Sequence, residues 1–147
     1  MTEGASRSRI LFLLVAVLSV AGAIDSTIAL QRHYAKSETN FCDFSQKFSC
    51  DIVNRSEYST LFDIPVAAIG IAGYTVLGLL STFWRSRPDT PNRLLICAVA
   101  GLLFALYLTY VEAYKLTTWC ILCLISLALI ALISMLAIAI KLAKPRT

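Results

Sequence analysis

Charge is what this sequence has least of. Of its 147 residues, 15% are charged, against about 25% in an ordinary soluble domain. A globule with solvent on every side is therefore excluded. Histidine is nearly missing as well: His33 is the only one, so no histidine cluster is on hand for a metal. The basic residues form no stripe interleaved with aromatics, so the net charge of +4 gives no reason to expect a nucleic-acid partner. What the chain has instead is apolar surface, with 58% hydrophobic residues and a mean hydropathy of +0.74.

The apolar residues fall in four blocks, at about 10–30, 61–84, 94–114 and 119–143. Each has the roughly 20 residues that a helix needs to cross about 30 Å of hydrocarbon. Backbone groups in lipid must be bonded within the segment, so each block is expected to be a helix. The fold expected is an all-α membrane protein, a four-transmembrane-helix bundle forming one domain over 1–147. Arg7 and Arg9 before the first block also suit a signal peptide, but the run is longer than a usual signal core.

Basic residues set the orientation. Eight lie on one face: Arg7, Arg9, Arg85, Arg87, Arg93, Lys141, Lys144 and Arg146. Five lie on the other: Arg32, Lys36, Lys47, Arg55 and Lys115, with the acids Glu38, Asp43, Asp51, Glu57 and Glu112 beside them. The positive-inside rule then predicts a multi-pass inner (plasma) membrane protein with both termini cytoplasmic.

On this map Cys42 and Cys50 fall in the extracytoplasmic loop at about 35–60, where disulfides persist. Cys120 and Cys123 open the fourth block at the same face, and Cys97 stands apart near the cytoplasmic side. Four cysteines allow three pairings, and proximity favours Cys42–Cys50 and Cys120–Cys123. A Cys-x-x-Cys at a helix start places both sulfurs on one face, one turn apart. The free N–H groups and partial positive charge there favour a thiolate at Cys120, the species that attacks disulfides. Four thiolates also suit zinc, but the spacing of Cys42 and Cys50 exceeds the usual two to four residues.

The order Cys42, seven residues, Cys50, five residues, Ser56, and a late Cys120-x-x-Cys123 resembles the vitamin K epoxide reductase family. The stretch from Phe62 to Gly70 is similar to the segment that many bacterial members carry there. The resemblance covers about residues 10–140. It implies a capping loop with a short helix on the extracytoplasmic side. It implies a shuttle pair, Cys42 and Cys50, that takes electrons from a thiol partner through attack at Cys42 and passes them from Cys50 to Cys120. Cys123 then faces a membrane quinone of ubiquinone or menaquinone type, and Ser56 is the loop hydroxyl near the cysteines. The implied activity is a quinone-dependent thiol–disulfide oxidoreductase that promotes disulfide formation. Because the sequence ends at Thr147, the partner is expected to be a separate thioredoxin-like (DsbA-type) protein. Animal members have an asparagine and a tyrosine at positions that hold Val66 and Leu127 here, so a quinone oxidant is expected rather than an epoxide substrate. A DsbB-type quinone-linked oxidase shares the chemistry but carries its Cys-x-x-Cys in the first loop. A membrane scaffold stapled by two disulfides is the non-enzymatic alternative.

Further residues complete the expectations. Asp25, ionisable within the first span, is a functional candidate or a partner for Arg32. Asp63, before Pro65, suits a helix start. Glu112 is placed to exchange protons, or is simply solvated. Phe62, Tyr110 and Tyr114 are assigned to a quinone pocket as well as to a membrane belt. Gly70, Gly73 and Gly78 give the second span a close-packing face.

Overall fold

The computed structural model describes residues 2–35, 45 and 47–143. Cys42, expected in the shuttle pair, lies outside them. Helix α1 (Thr2–Tyr34) is followed by a five-residue helix α2 (Cys50–Asn54) and a 3-10 turn (Glu57–Ser59). Helices α3 (Val66–Thr82), α4 (Thr90–Val111) and α5 (Ile121–Ala143) complete the order. A π turn, Glu112–Leu116, continues α4.

Three of the helical segments are long and apolar enough to cross a membrane; α3 is shorter, at 17 residues. The expected second span began at 61, and the reason for the difference is Pro65. A residue before proline is pushed out of the helical region, so Ile64 cannot continue the helix backwards. The chain forms a small hairpin instead. Strand β1 (Thr60–Leu61) pairs antiparallel with β2 (Ile64–Pro65), Thr60 opposite Pro65 and Leu61 opposite Ile64. Phe62 and Asp63 make the turn with φ of 52° and 64°, the left-handed pair that two-residue hairpins favour. Asp63 thus sits at the hairpin tip and not at a helix start, since Pro65 is the N-cap of α3. At the other end of α3, the Ser81 and Thr82 hydroxyls both donate back to Gly78 O, at 2.9 and 2.8 Å, which weakens the last turn.

Helix α1 packs along α3 and α5, and α4 along α5, while α3 and α4 meet over a shorter stretch. Close approach between α1 and α3 depends on missing side chains. A Cβ on Gly22 would run into the Tyr74 ring, and one on Gly70 would stand 2.7 Å from Ser26 Oγ. Phe12, Val15, Leu77, Leu94 and Ile133 fill the core. Leu13, Val17, Val20, Ile96, Leu103 and Met135 point outward, each more than half exposed. An apolar outer surface of this extent suits lipid and not water.

Candidate active site

Two segments far apart in sequence are tied together just before their cysteines. Trp119 N–H donates to Lys47 O at 2.7 Å, and Ser49 N–H donates to Trp119 O at 3.1 Å. This short parallel pairing of Phe48 with Trp119 brings together the cysteines that follow on the two segments. They are Cys50, two residues on, which opens α2, and Cys120, the next residue, which immediately precedes α5. Ser49 caps α2, its Oγ accepting from Ile52 N at 3.3 Å, the usual N-cap service. Cys120 holds the equivalent place at α5, with its carbonyl accepting from Leu124 N at 3.1 Å. Both cysteines are fully buried and share one cluster with Ala29, Val53 and Leu122.

Cys50 is disulfide-bonded. Cys120 and Cys123 are free thiols, and the Cys123 sulfur lies against both the Cys120 thiol and the Glu112 carboxyl. Asn54, from the end of α2, points its amide Nδ2 at Cys120 Sγ, 4.0 Å away. Reading the sequence did not find Asn54.

Glu112 reaches the site because α4 ends irregularly. The π turn widens the helix, and Thr117 reverses the chain with a left-handed φ of 50°. Thr118 N–H closes the turn on Glu112 O at 3.2 Å. Glu112 Oε2 then accepts from Cys120 N–H at 3.0 Å. Its second oxygen, Oε1, is buried with no hydrogen-bond partner. The residue is 1% exposed, so the solvated alternative for this carboxylate does not hold. π turns gather at functional sites, and this one places an ionisable carboxyl beside two thiols.

Below the cysteines, a cavity of about 560 Å³ opens among α1, α3, α4 and α5. Its wall is largely apolar, from Val66, Leu77, Phe104 and Ile130, with Cys123, Glu112 and Asp25 as reactive members. A lipid-soluble ring fits such a space, since ligand sites are mostly apolar with few polar groups. Among the described residues, no group of three or more His, Cys, Asp or Glu is arranged to hold a metal.

The sequence matches the family model described as Vitamin K epoxide reductase family over residues 13–138. The chain belongs to that family. Its members are membrane thiol–disulfide oxidoreductases linked to quinone, and the apolar helices agree with a membrane protein. A comparison with curated proteins finds no match.

Ser56, expected as the loop hydroxyl near the cysteines, donates its hydroxyl to Val53 O at 2.8 Å and also lines the cavity. The bond closes the turn that ends α2. His33, at the end of α1, meets Asn54 O with its Nδ1, and Ser59 Oγ stands 3.4 Å from the same nitrogen. Arg55 donates to Ala35 O. These contacts tie the α2 region to α1.

The aromatics expected at the pocket are elsewhere. Phe62 is 90% exposed at the hairpin tip. Tyr110 and Tyr114 pack on each other, ring centroids 4.9 Å apart, on the outer surface of α4 and its π turn. None of the three lines the cavity. The turn of a helix decides this: α4 presents Phe104, Leu108 and Val111 inward, and Tyr110 lies on another face.

Proposed function

We propose that the chain carries electrons from a separate thioredoxin-like thiol protein to a membrane quinone, through Cys42 and Cys50 and then Cys120 and Cys123. One observation supports this most: Cys50 and Cys120 are buried in a single cluster, and Cys123, one turn on, forms part of the wall of an apolar cavity. The partner's dithiol attacks the Cys42–Cys50 disulfide and leaves as a disulfide, with two electrons now on the shuttle pair. The Cys50 thiolate then attacks Sγ of Cys120 in an oxidised Cys120–Cys123 pair, and Cys123 departs as the thiolate. Cys42 resolves the mixed Cys50–Cys120 bond and frees Cys120. The result is the state described above, with Cys50 in a disulfide and two thiols at 120 and 123.

A bound quinone supplies an acceptor for two electrons and two protons. Cys123 would face it, and as the Cys120–Cys123 bond reforms the two thiols would give up two electrons and two protons to the ring, with Glu112 relaying a thiol proton onward. Asn54 and the Glu112 contact to Cys120 N hold Cys120 in place. Ser56 keeps α2 closed over the cavity. The site is read as extracytoplasmic, on the charge bias of the loops, with the α2 segment as its cap over one domain spanning 1–147.

The test is thiol trapping in membranes. In a Cys123→Ala variant isolated with its Cys42–Cys50 disulfide intact, the Cys120 thiolate can attack Cys50 and displace the Cys42 thiolate, so a mixed Cys50–Cys120 disulfide should accumulate, seen by non-reducing mass spectrometry. Pairs that stay inert, with no response to added quinone, would leave only a scaffold with structural disulfides. Complementation of a strain lacking its quinone-linked thiol oxidase, with each cysteine changed in turn, checks the same reading in cells.

A further inference from the structure

The redox chain above leaves Asp25 without a task. It lies on α1, nine residues before the helix ends at Tyr34, or about 14 Å below that end at 1.5 Å per residue. It is 8% exposed. Its carboxyl makes no hydrogen bond or ion pair among the described residues, and Arg32 does not pair with it. It stands in the cavity wall. An ionisable group in a span, buried and without a partner, is expensive to keep. An apolar side chain of similar size would pack there at less cost.

The surroundings indicate what the carboxyl meets. Tyr74 crosses from α3, and its hydroxyl lies 3.0 Å from Ser126 O and 2.8 Å from Ser126 Oγ on α5. Gly22, one turn before Asp25, leaves room for the Tyr74 ring. Asp25 is close enough to act electrostatically on the Tyr74 hydroxyl. Ser126 in turn stands one turn after Cys123. The cavity therefore has a sulfur at one level and a phenol–serine pair three residues, ~4.5 Å, deeper, with the Asp25 carboxyl within electrostatic reach of that phenol. That separation is on the scale of a single six-membered ring. The Tyr74 hydroxyl is already hydrogen-bonded at Ser126, whereas the Asp25 carboxyl makes no hydrogen bond among the described residues.

We propose that Asp25 is the hydrogen-bond partner of a carbonyl oxygen of the quinone in this cavity, with the Tyr74–Ser126 pair as the floor that sets the ring at the level of Cys123. The proposal rests on the functional reading above. In its acid form a carboxyl presents one O–H donor. A donor aimed at a carbonyl oxygen holds the ring in register with the sulfur, and the bond strengthens as that oxygen gains electron density, so it favours the reduced ring. Asp25 is then a substrate-contacting residue, and Tyr74 positions both it and the ring.

The full chain in detergent or nanodiscs provides the test, with a short-chain ubiquinone and a short-chain menaquinone as probes and dithiothreitol as donor. Binding is read as the quinone-induced rise in melting temperature without reductant, and turnover as KM and kcat. Asp25→Leu should melt higher than wild type when no quinone is present, because the orphan carboxyl is gone. It should lose most of the quinone-induced rise and show a KM raised roughly tenfold, the loss of one hydrogen bond to a ligand. Asp25→Asn, which keeps a donor, should stay nearer wild type in both readouts. Wild-type KM and a full thermal rise in Asp25→Leu would overturn the inference, as would an Asp25→Asn loss equal to that of Asp25→Leu. Should Asp25→Leu not fold, Asp25→Ala carries the same expectation without added bulk. A wild-type chain that neither binds nor reduces either quinone overturns the functional reading itself, a distinct outcome.

Discussion

The cysteine end of the bundle and its opposite end are built on different terms. At the cysteine end stand the 3-10 turn, the hairpin, the π turn and the three positive-φ residues found among the described ones, Phe62, Asp63 and Thr117. Two carboxylates are buried there with oxygens unpartnered: both of Asp51 and Oε1 of Glu112. At the opposite end a short turn, 83–89, joins α3 to α4. Arg87 N–H donates to Trp84 O at 3.0 Å, the Thr90 hydroxyl closes on Trp84 O, and Lys141 meets Asn92 Oδ1 at 3.1 Å on the surface. Left-handed residues and buried unpaired charges each cost stability, and they persist where function requires them. The contrast indicates that the fold concentrates its costs at one end and keeps the other regular.

Substitutions should break this contrast in a graded way. The largest effect belongs to the sulfurs: Cys120→Ala or Cys123→Ala should bring quinone reduction to background, measured as quinol formation by purified protein. Residual turnover near wild type would sink the two-pair relay. Next is the short backbone pairing. Trp119→Pro removes the N–H that donates to Lys47 O at 2.7 Å, so Cys50 and Cys120 lose their alignment. Misplacing reacting groups by about 1 Å costs on the order of a hundredfold in rate, and exchange between Cys50 and Cys120 should slow by that order in rapid-quench trapping.

Glu112→Gln isolates proton transfer, because the amide oxygen still accepts from Cys120 N–H. Turnover should fall on the order of a hundredfold while the melting temperature moves little; an unchanged rate would make Glu112 a structural acceptor only. A smaller effect is expected deeper in the bundle. Tyr74→Phe gives up its contacts with Ser126, worth about 1 kcal/mol, visible as a lowered denaturation midpoint. At the opposite end, Lys141→Ala should change stability by less than about 0.5 kcal/mol and leave turnover alone. A large effect there would show that the two ends are energetically coupled.

Particular residues show how far reading the chain reached. The four apolar blocks reappear in α1, α3, α4 and α5, since hydropathy sums along a segment and needs no knowledge of neighbours. Membership of the family was legible in the Cys42, Cys50, Ser56 and Cys120-x-x-Cys123 spacing and agrees with the match over 13–138. The start of α3 was not, because Pro65 outweighed an apolar run that continued through it. Phe62, Tyr110 and Tyr114 were drawn toward the pocket by their chemistry alone, and helix phase and a hairpin turn put them outside. Asn54 gave no signal, because its partner Cys120 lies 66 residues away.

What the sequence by itself determined is the medium and the kind of chemistry: helices suited to lipid, and thiols in redox spacing. Those properties are local, written in transfer free energies of single segments and in short motifs. The tertiary structure alone decided that Cys50 and Cys120 share one buried cluster, that Glu112 accepts from Cys120 N–H, and that Asp25 lines a cavity without a hydrogen-bond partner among the described residues. Each depends on segments distant in sequence meeting at a given register and helix phase. A pairing at Trp119 and a widened turn after Val111 set that register, and neither is visible in any single stretch of chain.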